Sequence, residues 1–477
     1  MSYEAVIGLE IHVQLNCPTK LFCNCANIAT EQANAHICPT CIWLPGALPQ
    51  LSETALRQAA LTCLALNCEI QEESAFDQKV YYYPDLPKGF QLSQHHKPLS
   101  RNGWLDITDE NGKSKHLRIH HIHMEEDVAK LVHETEGQKR ISLVDFNRAG
   151  AALVEIVTEP DMRNPHDAMA FLRALRTQIR YAGTAECSME SGTMRCDANI
   201  SMRPAGSEEF FTKVEVKNMN SVKAVGSAIA FEIERQSKLL DDGLPVTMHT
   251  RLWDPEKNIT TYMRDKFAGP CVPDPSVPGI RLSEEEIGNL VRQLPEMPSG
   301  KQARFVKEFG LTEAEAVQMS AERDLADYFE ALVNAGITPH TAAQWTAGRF
   351  LPALKEQRQE IASTTVTPDR AAELLSMLEK EIINAKQAKK ILLLMFTSKK
   401  SAPAIADEKG FRQITDPDAL TAILEQVMAD QPDAVANLRA GKKQAAGFLI
   451  GQAMQQSRGK ANPKLLADLL ESLTGTN

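Results

Sequence analysis

Four cysteines in two close pairs, Cys23-Asn24-Cys25 and Cys38-Pro39-Thr40-Cys41, are the most specific chemical signal in the sequence. Four thiolates at this spacing can close a tetrahedral zinc shell and staple a loop with too little apolar area to hold itself. A closed shell leaves no position open for substrate, so the expected role is structural. The other six cysteines, Cys17, Cys63, Cys68, Cys187, Cys196 and Cys271, lack ligand-like spacing and read as small apolar residues.

A second set combines acids and histidine on β-type segments: Glu10 and His12 in GLEIHVQL, Glu125 and Glu126 in HMEED, and Glu155 in LVEIVTEP. Positions two apart on a strand face the same way, so Glu10 and His12 can converge on one ligand. Converging carboxylates repel unless a cation lies between them, and their hard oxygens suit magnesium carrying nucleotide phosphates. Charged residues on the wet face of a sheet give the same pattern, so spacing alone leaves both readings open. In YYYPDLPKGFQLSQ, Tyr81 to Gln94, neither helix nor strand can continue. Such a loop either presents a lysine and backbone amides to an anion or is a proline-stiffened surface turn. No GxxxxGKS/T run and no Gly-rich dinucleotide fingerprint is present, so any nucleotide site is of another kind.

The elements that must position these residues are mixed. AVIGLEIHVQL, HLRIHHIHM, SLVDF and ALVEIVTE alternate apolar and polar residues as a sheet with one wet face requires, whereas HDAMAFLRALRTQIRYAG and SVKAVGSAIAFEIERQSKLLDDG have helical spacing. The expected class is therefore α+β. Prolines between Pro270 and Pro278 break the pattern, and a boundary near residue 295 follows. Amphipathic helices such as SAERDLADYFEALVNAG and PDRAAELLSMLEKEI come next, and a polar connector leads into a last small helical unit. The expected division is 1–295, 296–405 and 406–477.

A chain of 477 residues is too long for one ordinary core, and 43% hydrophobic with 24% charged residues is a globular composition. No run of about 18 uncharged apolar residues occurs, and the first residues carry two acids rather than a basic lead into an apolar run, so a cytoplasmic location is expected. A net charge of −10 argues against a nonspecific nucleic-acid coat. Locally the balance reverses: beyond Leu438, Arg439, Lys442, Lys443, Arg458, Lys460 and Lys464 face only Asp468 and Glu471. That suits a phosphate-rich partner, and a merely solvated helix surface suits it equally.

VIGLEIHVQL, the cysteine pairs with CPTC and LPGALP, YYYPDLPKGFQLSQ, HMEEDVAKLVHE, SLVDFNRAG, VEIVTEPD, MRCDANIS, EVKNMNS and TRLWD occur in the order and approximate spacing of one family. The chain resembles GatB, the B subunit of the aspartyl/glutamyl-tRNA amidotransferase. Its end, AAGFLIGQAM with GKANPKLLADLL, resembles that family's YqeY-like tRNA-binding tail. The resemblance implies a cradle-like catalytic domain, a helical domain and the tail, in a heterotrimer with an amidase A subunit and a small C subunit. It also implies an ATP-dependent ligase. The B subunit phosphorylates the side-chain carboxylate of Glu-tRNA(Gln) or Asp-tRNA(Asn), and ammonia released from glutamine and channelled to it displaces phosphate. ATP, Mg2+ and a structural Zn2+ are the implied small partners.

Carried over by position, Glu10, His12, Glu125, Glu126 and Glu155 match the surroundings of the family's magnesium site. Lys79, near Asp77, matches a lysine at the mouth of the ammonia channel. Asp85, Lys88, Arg195, Asp197, Asn199, Glu215, Lys217 and Asn218 fall in motifs lining the cradle, where they would contact phosphate, metal or ribose. The chain departs from the family in four places. MRDKFAGPCVPDPSVPG (Met263 to Gly279) replaces a longer element ending in YRYFPDPD, and Phe76-Asp77-Gln78-Lys79-Val80 replaces FDRKN. Trp43 and Ala152 stand where a small residue and a proline are usual. These departures leave a paralogue with another acceptor, or a noncatalytic tRNA-binding protein, as alternatives to the amidotransferase component itself.

Overall fold

The computed structural model describes residues 3–137, 139–265, 269–411, 414, 416–439, 442–457 and 460–475. It divides into two compact units, Met1–Pro298 and Ser299–Asn477. The fold is α+β.

In the first unit the chain runs β1 (Tyr3–Gln14), α1 (Glu53–Ala65), β2 (Glu69–Ile70), β3 (Ala75–Val80), β4 (Phe90–Lys97), β5 (Ser100–Thr108) and β6 (Ser114–Glu126). It continues β7 (Lys130–Glu136), β8 (Lys139–Asp145), β9 (Ala152–Thr158), α2 (Pro165–Ala182), β10 (Met194–Pro204), β11 (Val214–Met219) and α3 (Val222–Asp241). Strands β12 (His249–Asp254), β13 (Ile259–Asp265) and β14 (Cys271–Pro273) and helix α4 (Glu284–Gln293) complete it. The segments expected to be strands and helices from their periodicity fall on β1, β6, β8, β9, α2 and α3.

Nine strands form one sheet in the order β13-β12-β11-β10-β1-β9-β6-β5-β2. Its pairs are antiparallel except β11 with β12, which α3 connects in sequence. A period of two sorts the central strands cleanly. Leu9 and Ile11 of β1, Val154 and Ile156 of β9, Ile122 and Met124 of β6 and Ala198 and Ile200 of β10 all enter one core with α2 and α3. Burying a side chain of this size stabilises by about 1.5–3 kcal/mol, so that face is committed and the register with it. The residues between them are left to the other face.

The covering helices start and stop where their sequences direct. Asn164 caps α2 by accepting from Asp167 N, Pro165 occupies the first turn, and Gly183 ends the helix at φ 74°. Ser221 caps α3 by accepting from Ala224 N. A second sheet, β14-β3-β4, and the β7-β8 hairpin flank the large one.

The second unit is helical, and among its described residues two packing systems stand out. Tyr328, Trp345, Phe350 and Phe396 stack around Phe350, and the Tyr328 hydroxyl donates to Val366 O at 2.9 Å. Leu420, Leu424, Leu449, Leu466 and Leu470 form a separate apolar cluster at the end of the chain. Arg439, Lys442, Lys460 and Lys464 are exposed there, while Arg458 and the Lys443 side chain lie outside the described residues. No described helix is long and apolar enough to cross a membrane.

Candidate active site and cysteine loop

The face of the large sheet turned away from the apolar core carries a polar row across five strands. The pairings His123↔Glu155, Glu155↔His12 and His12↔Arg195 set four of its members side by side. Two residues along, Glu10 pairs with Asp197, and beyond it Asn199 pairs with Glu215. Cross-strand partners share a face, so the backbone ladder itself gathers these groups.

Two clusters result. In the first, His12 Nε2 lies 3.2 Å from Glu125 Oε1 and 3.4 Å from Glu155 Oε2, and His123 Nε2 lies 3.2 Å from the same Glu155 oxygen. One ligand atom from each of His12, Glu125 and Glu155 lies within 4.8 Å of the others. Burial opposes charge on His12, but Glu125 and Glu155 outweigh it and raise the imidazole well above its ordinary pKa. Burial likewise opposes charge on Glu155, and His123 and His12 overcome it, holding the carboxyl well below its usual range. Glu125 is 1% exposed, and its Oε2 has no hydrogen-bond partner among the described residues. A buried carboxylate oxygen left open beside a second carboxylate and an imidazole is a donor set that fits a divalent cation.

The second cluster joins Glu10, Asp197 and Glu215. Lys217 makes an ion pair with Asp197 and lies 3.6 Å from Glu215, Thr250 Oγ1 donates to Glu215 at 2.8 Å, and Asn199 Nδ2 donates to Glu10 at 2.9 Å. Lys79, on β3, feels carboxylates of both clusters. Burial weakens its charge, but Glu125, Glu155 and Glu10 together raise its pKa above the ordinary lysine value. Asp77 is engaged elsewhere, by His96 Nδ1 at 2.8 Å and His96 N at 2.9 Å, and no Lys79–Asp77 ion pair occurs among the described residues.

Some residues grouped in the sequence are parted by the structure. Glu126 is adjacent to Glu125 on β6 and so points to the opposite face, where it pairs with Lys88 and accepts from Leu92 N at 2.8 Å. Lys88 is buried in that pair, with its ammonium 5.5 Å from the Trp43 ring and 5.4 Å from the Phe90 ring. It is therefore a packed cation away from the polar row. Asp85 is half-buried, and its backbone carbonyl accepts from Ala129 N. Asn218, at φ 69°, donates to Trp253 O at 3.2 Å. Arg195 belongs to the row but is bound to Asp127 at 3.0 Å. Three contributors have no counterpart among the residues singled out from the sequence: His123, Asp127 and Lys20. His123 was legible, since HIHME places it two before Glu125. The shortened element from Met263 to Gly279 is described except at 266–268, and its later part forms β14, which pairs Cys271 with Lys79.

The four cysteines converge independently. Their sulfurs all lie within 4.8 Å of one another, and a tetrahedral shell with bonds of about 2.3 Å needs separations of about 3.8 Å. Cys38 N–H donates to Cys41 Sγ at 3.0 Å. A hydrogen bond from Cys23 first, then the Cys38 amide and the Lys20 charge, lower the Cys41 pKa far below that of an ordinary thiol. Lys20 is fully buried and donates to His36 O at 2.9 Å and Phe146 O at 3.1 Å. A Cβ on Gly150, which sits at φ +85°, would meet its stem at 3.5 Å. From Cys23 to Leu48 no residue is buried, so the loop has no core of its own. The thiol set fits zinc.

A family model described as the GatB/GatE catalytic domain matches residues 5–288, and one described as the GatB domain matches residues 327–473. The chain belongs to the GatB/GatE family. Over 470 residues, 98% of either chain, it is 59% identical to an aspartyl/glutamyl-tRNA(Asn/Gln) amidotransferase B subunit of Syntrophus aciditrophicus, the one numbered 1. It is 43% identical to the B subunit of the corresponding Carboxydothermus hydrogenoformans enzyme over 98% of either chain. To that of Persephonella marina it is 42% identical over 99% of this chain and 100% of the relative. The polar row and the cysteine loop both lie inside the part matched to the GatB/GatE catalytic domain.

Proposed function

We propose that this chain is the B subunit of a glutamine-dependent tRNA amidotransferase and activates the side-chain carboxylate of Glu-tRNA(Gln), Asp-tRNA(Asn) or both with ATP. The observation that carries the reading is likeness along the whole chain to proteins of that name, 59% identical over 98% in one case. An amidase A subunit and a small C subunit complete the enzyme, which works in the cytoplasm. Residues 1–295 hold the catalytic domain, 296–405 a helical domain and 406–477 a tail that binds tRNA.

The reaction first moves the γ-phosphoryl group of ATP to a carboxylate oxygen, releasing ADP. The ammonia lone pair then attacks the acyl carbon, the bond to the phosphate oxygen breaks, phosphate leaves with the electron pair, and the nitrogen sheds a proton. His12, Glu125 and Glu155 would hold magnesium, which when bound neutralises phosphate oxygens. Lys79, Arg195 and Lys217 supply the cations of the same face and orient anionic oxygens against it. Asp197 and Glu215 hold Lys217, and Asn199 orients Glu10, which would complete the magnesium surroundings from the next position along β1. Lys79, which matches a lysine at the mouth of the ammonia channel in the family this chain resembles, would gate delivery to the activated carboxylate. Glu126 and Lys88 act as positioning residues for the end of β6. The four thiolates would hold zinc as a staple.

The test is Glu125→Ala in the assembled complex, supplied with glutamine and then with an ammonium salt. ATP cleavage that depends on misacylated tRNA and amide formation should fall together by at least about 100-fold. Zinc content should be retained. Cleavage of ATP at the unsubstituted rate would remove the activation site from this sheet face.

A further inference from the structure

Two segments of the first unit lack a core of their own, and they meet. From Cys23 to Leu48 no residue is buried. Among the described residues β7 and β8 pair only with each other, and none from Lys130 to Arg148 is buried. A lone two-stranded hairpin is marginal at best in water, so its order has to come from its neighbours.

The stretch between the two cysteine pairs grips the base of that hairpin. Five hydrogen bonds join residues 110 to 115 apart in sequence. Asn34 N donates to Asp145 Oδ1 at 3.0 Å and its Nδ2 to Val144 O at 3.2 Å, while its Oδ1 accepts from Phe146 N at 2.8 Å. Asn147 Oδ1 accepts from His36 N at 2.8 Å, and its Nδ2 donates to Gln32 O at 2.8 Å. Lys20, fully buried, ties the same two segments again through His36 O and Phe146 O, and its charge acts on Cys41. Four thiolates on a divalent cation leave a negative shell, and Lys20 is a buried cation that complements it.

The hairpin base also leads to the polar row. Arg148 donates to Val128 O at 3.0 Å and Ala129 O at 3.1 Å and lies 3.5 Å from Asp127. Asp127 in turn holds Arg195 at 3.0 Å. Both ends of the hairpin therefore meet at the carboxylate that anchors a cation of the row.

We propose that the cysteine loop is a metal-dependent latch on the β7-β8 hairpin: zinc in the four thiolates orders Gln32 to His36, and those residues order the base from Val144 to Asn147. The proposal rests on the zinc proposed for the loop. Cys25 and Cys38 flank the stretch, so a closed shell turns it into a short ring and removes chain freedom before any bond to the hairpin forms. Without the ion, exposed hydrogen bonds of small net worth have to order both segments. The coupling is mutual, because whatever zinc adds to the stability of the latched hairpin the latch adds to zinc affinity.

The full-length chain tests this in two arms. In the first, zinc is stripped with a chelator and hydrogen–deuterium exchange is followed by mass spectrometry over Lys130 to Asp145, with the β12-β13 pair as the control. Exchange in β7-β8 should rise at least about fivefold while the control stays within about twofold. In the second, Asn34→Gly keeps every cysteine and the positive φ of 57° but loses two side-chain hydrogen bonds. Its zinc Kd, measured by competition with a chelator, should rise about 5- to 100-fold, and its hairpin should exchange faster with zinc still bound. Unchanged hairpin exchange in the first arm or an unchanged zinc Kd in the second overturns the latch, and so does an equal rise in both strand pairs. Metal analysis of the unsubstituted chain is read first. Absence of zinc overturns the zinc reading together with the latch, whereas about one zinc per chain with an unmoved hairpin overturns the latch alone.

Discussion

The polar row and the cysteine loop both gather metal-ligating side chains, and they do so by opposite means. In the row, the ladders of β6, β9, β1, β10 and β11 hold His12, Glu125 and Glu155 together, with the opposite face of the same strands locked in a core. Like charges can be forced close because the sheet already stands. In the loop no residue from Cys23 to Leu48 is buried, and the backbone forms no helix or strand there. There the proposed zinc would provide the cohesion that the core provides in the row. Preassembled ligands can exchange a cation with substrate; ligands that need their ion to stay assembled are structural.

The largest effect that could break this contrast is at Cys38. In Cys38→Ser zinc should fall from about one ion per chain to none, and cleavage between residues 23 and 48 by a protease should quicken by at least about tenfold. Unfolding of the sheet, followed by far-ultraviolet circular dichroism, should shift little by comparison. A loop still protected in the zinc-free protein would mean that it has another source of order.

A sharper effect separates neighbours on one strand. Glu126→Ala leaves the buried Lys88 ammonium without its partner and should cost about 3–5 kcal/mol in denaturant unfolding. Glu125→Ala should cost less than that, because both His12 and His123 keep Glu155 as a partner when their contacts to Glu125 are lost. Similar costs for the two would show that the row is as much a part of the scaffold as the Lys88 pair.

The smallest effect lies between the two regions. Trp43 comes from the cysteine loop, meets Phe90 edge-on at 5.4 Å and lies 5.5 Å from the Lys88 ammonium. Trp43→Ala should cost about 1 kcal/mol and leave zinc content unchanged. Loss of zinc in this variant would tie the loop to the Lys88 pair more tightly than packing alone does.

Local chemistry was legible without the fold. The spacing of Cys23, Cys25, Cys38 and Cys41 confines four thiols to one loop, so their convergence needs no distant partner. The alternation in GLEIHVQL put Glu10 and His12 on one face, because the period of a strand is a property of the backbone. The same rule places Glu125 and Glu126 on opposite faces, although motif matching groups them as if adjacency were convergence. What the sequence could not determine was which strands lie side by side. His12 meets Glu155 and Arg195 through pairings that span more than 140 residues in one direction and 180 in the other. Lys79 reaches the carboxylates from a separate sheet while Asp77, two residues before it, is held by His96. Strand order and register follow from which apolar faces bury against α2 and α3, and that choice belongs to the whole core rather than to any motif.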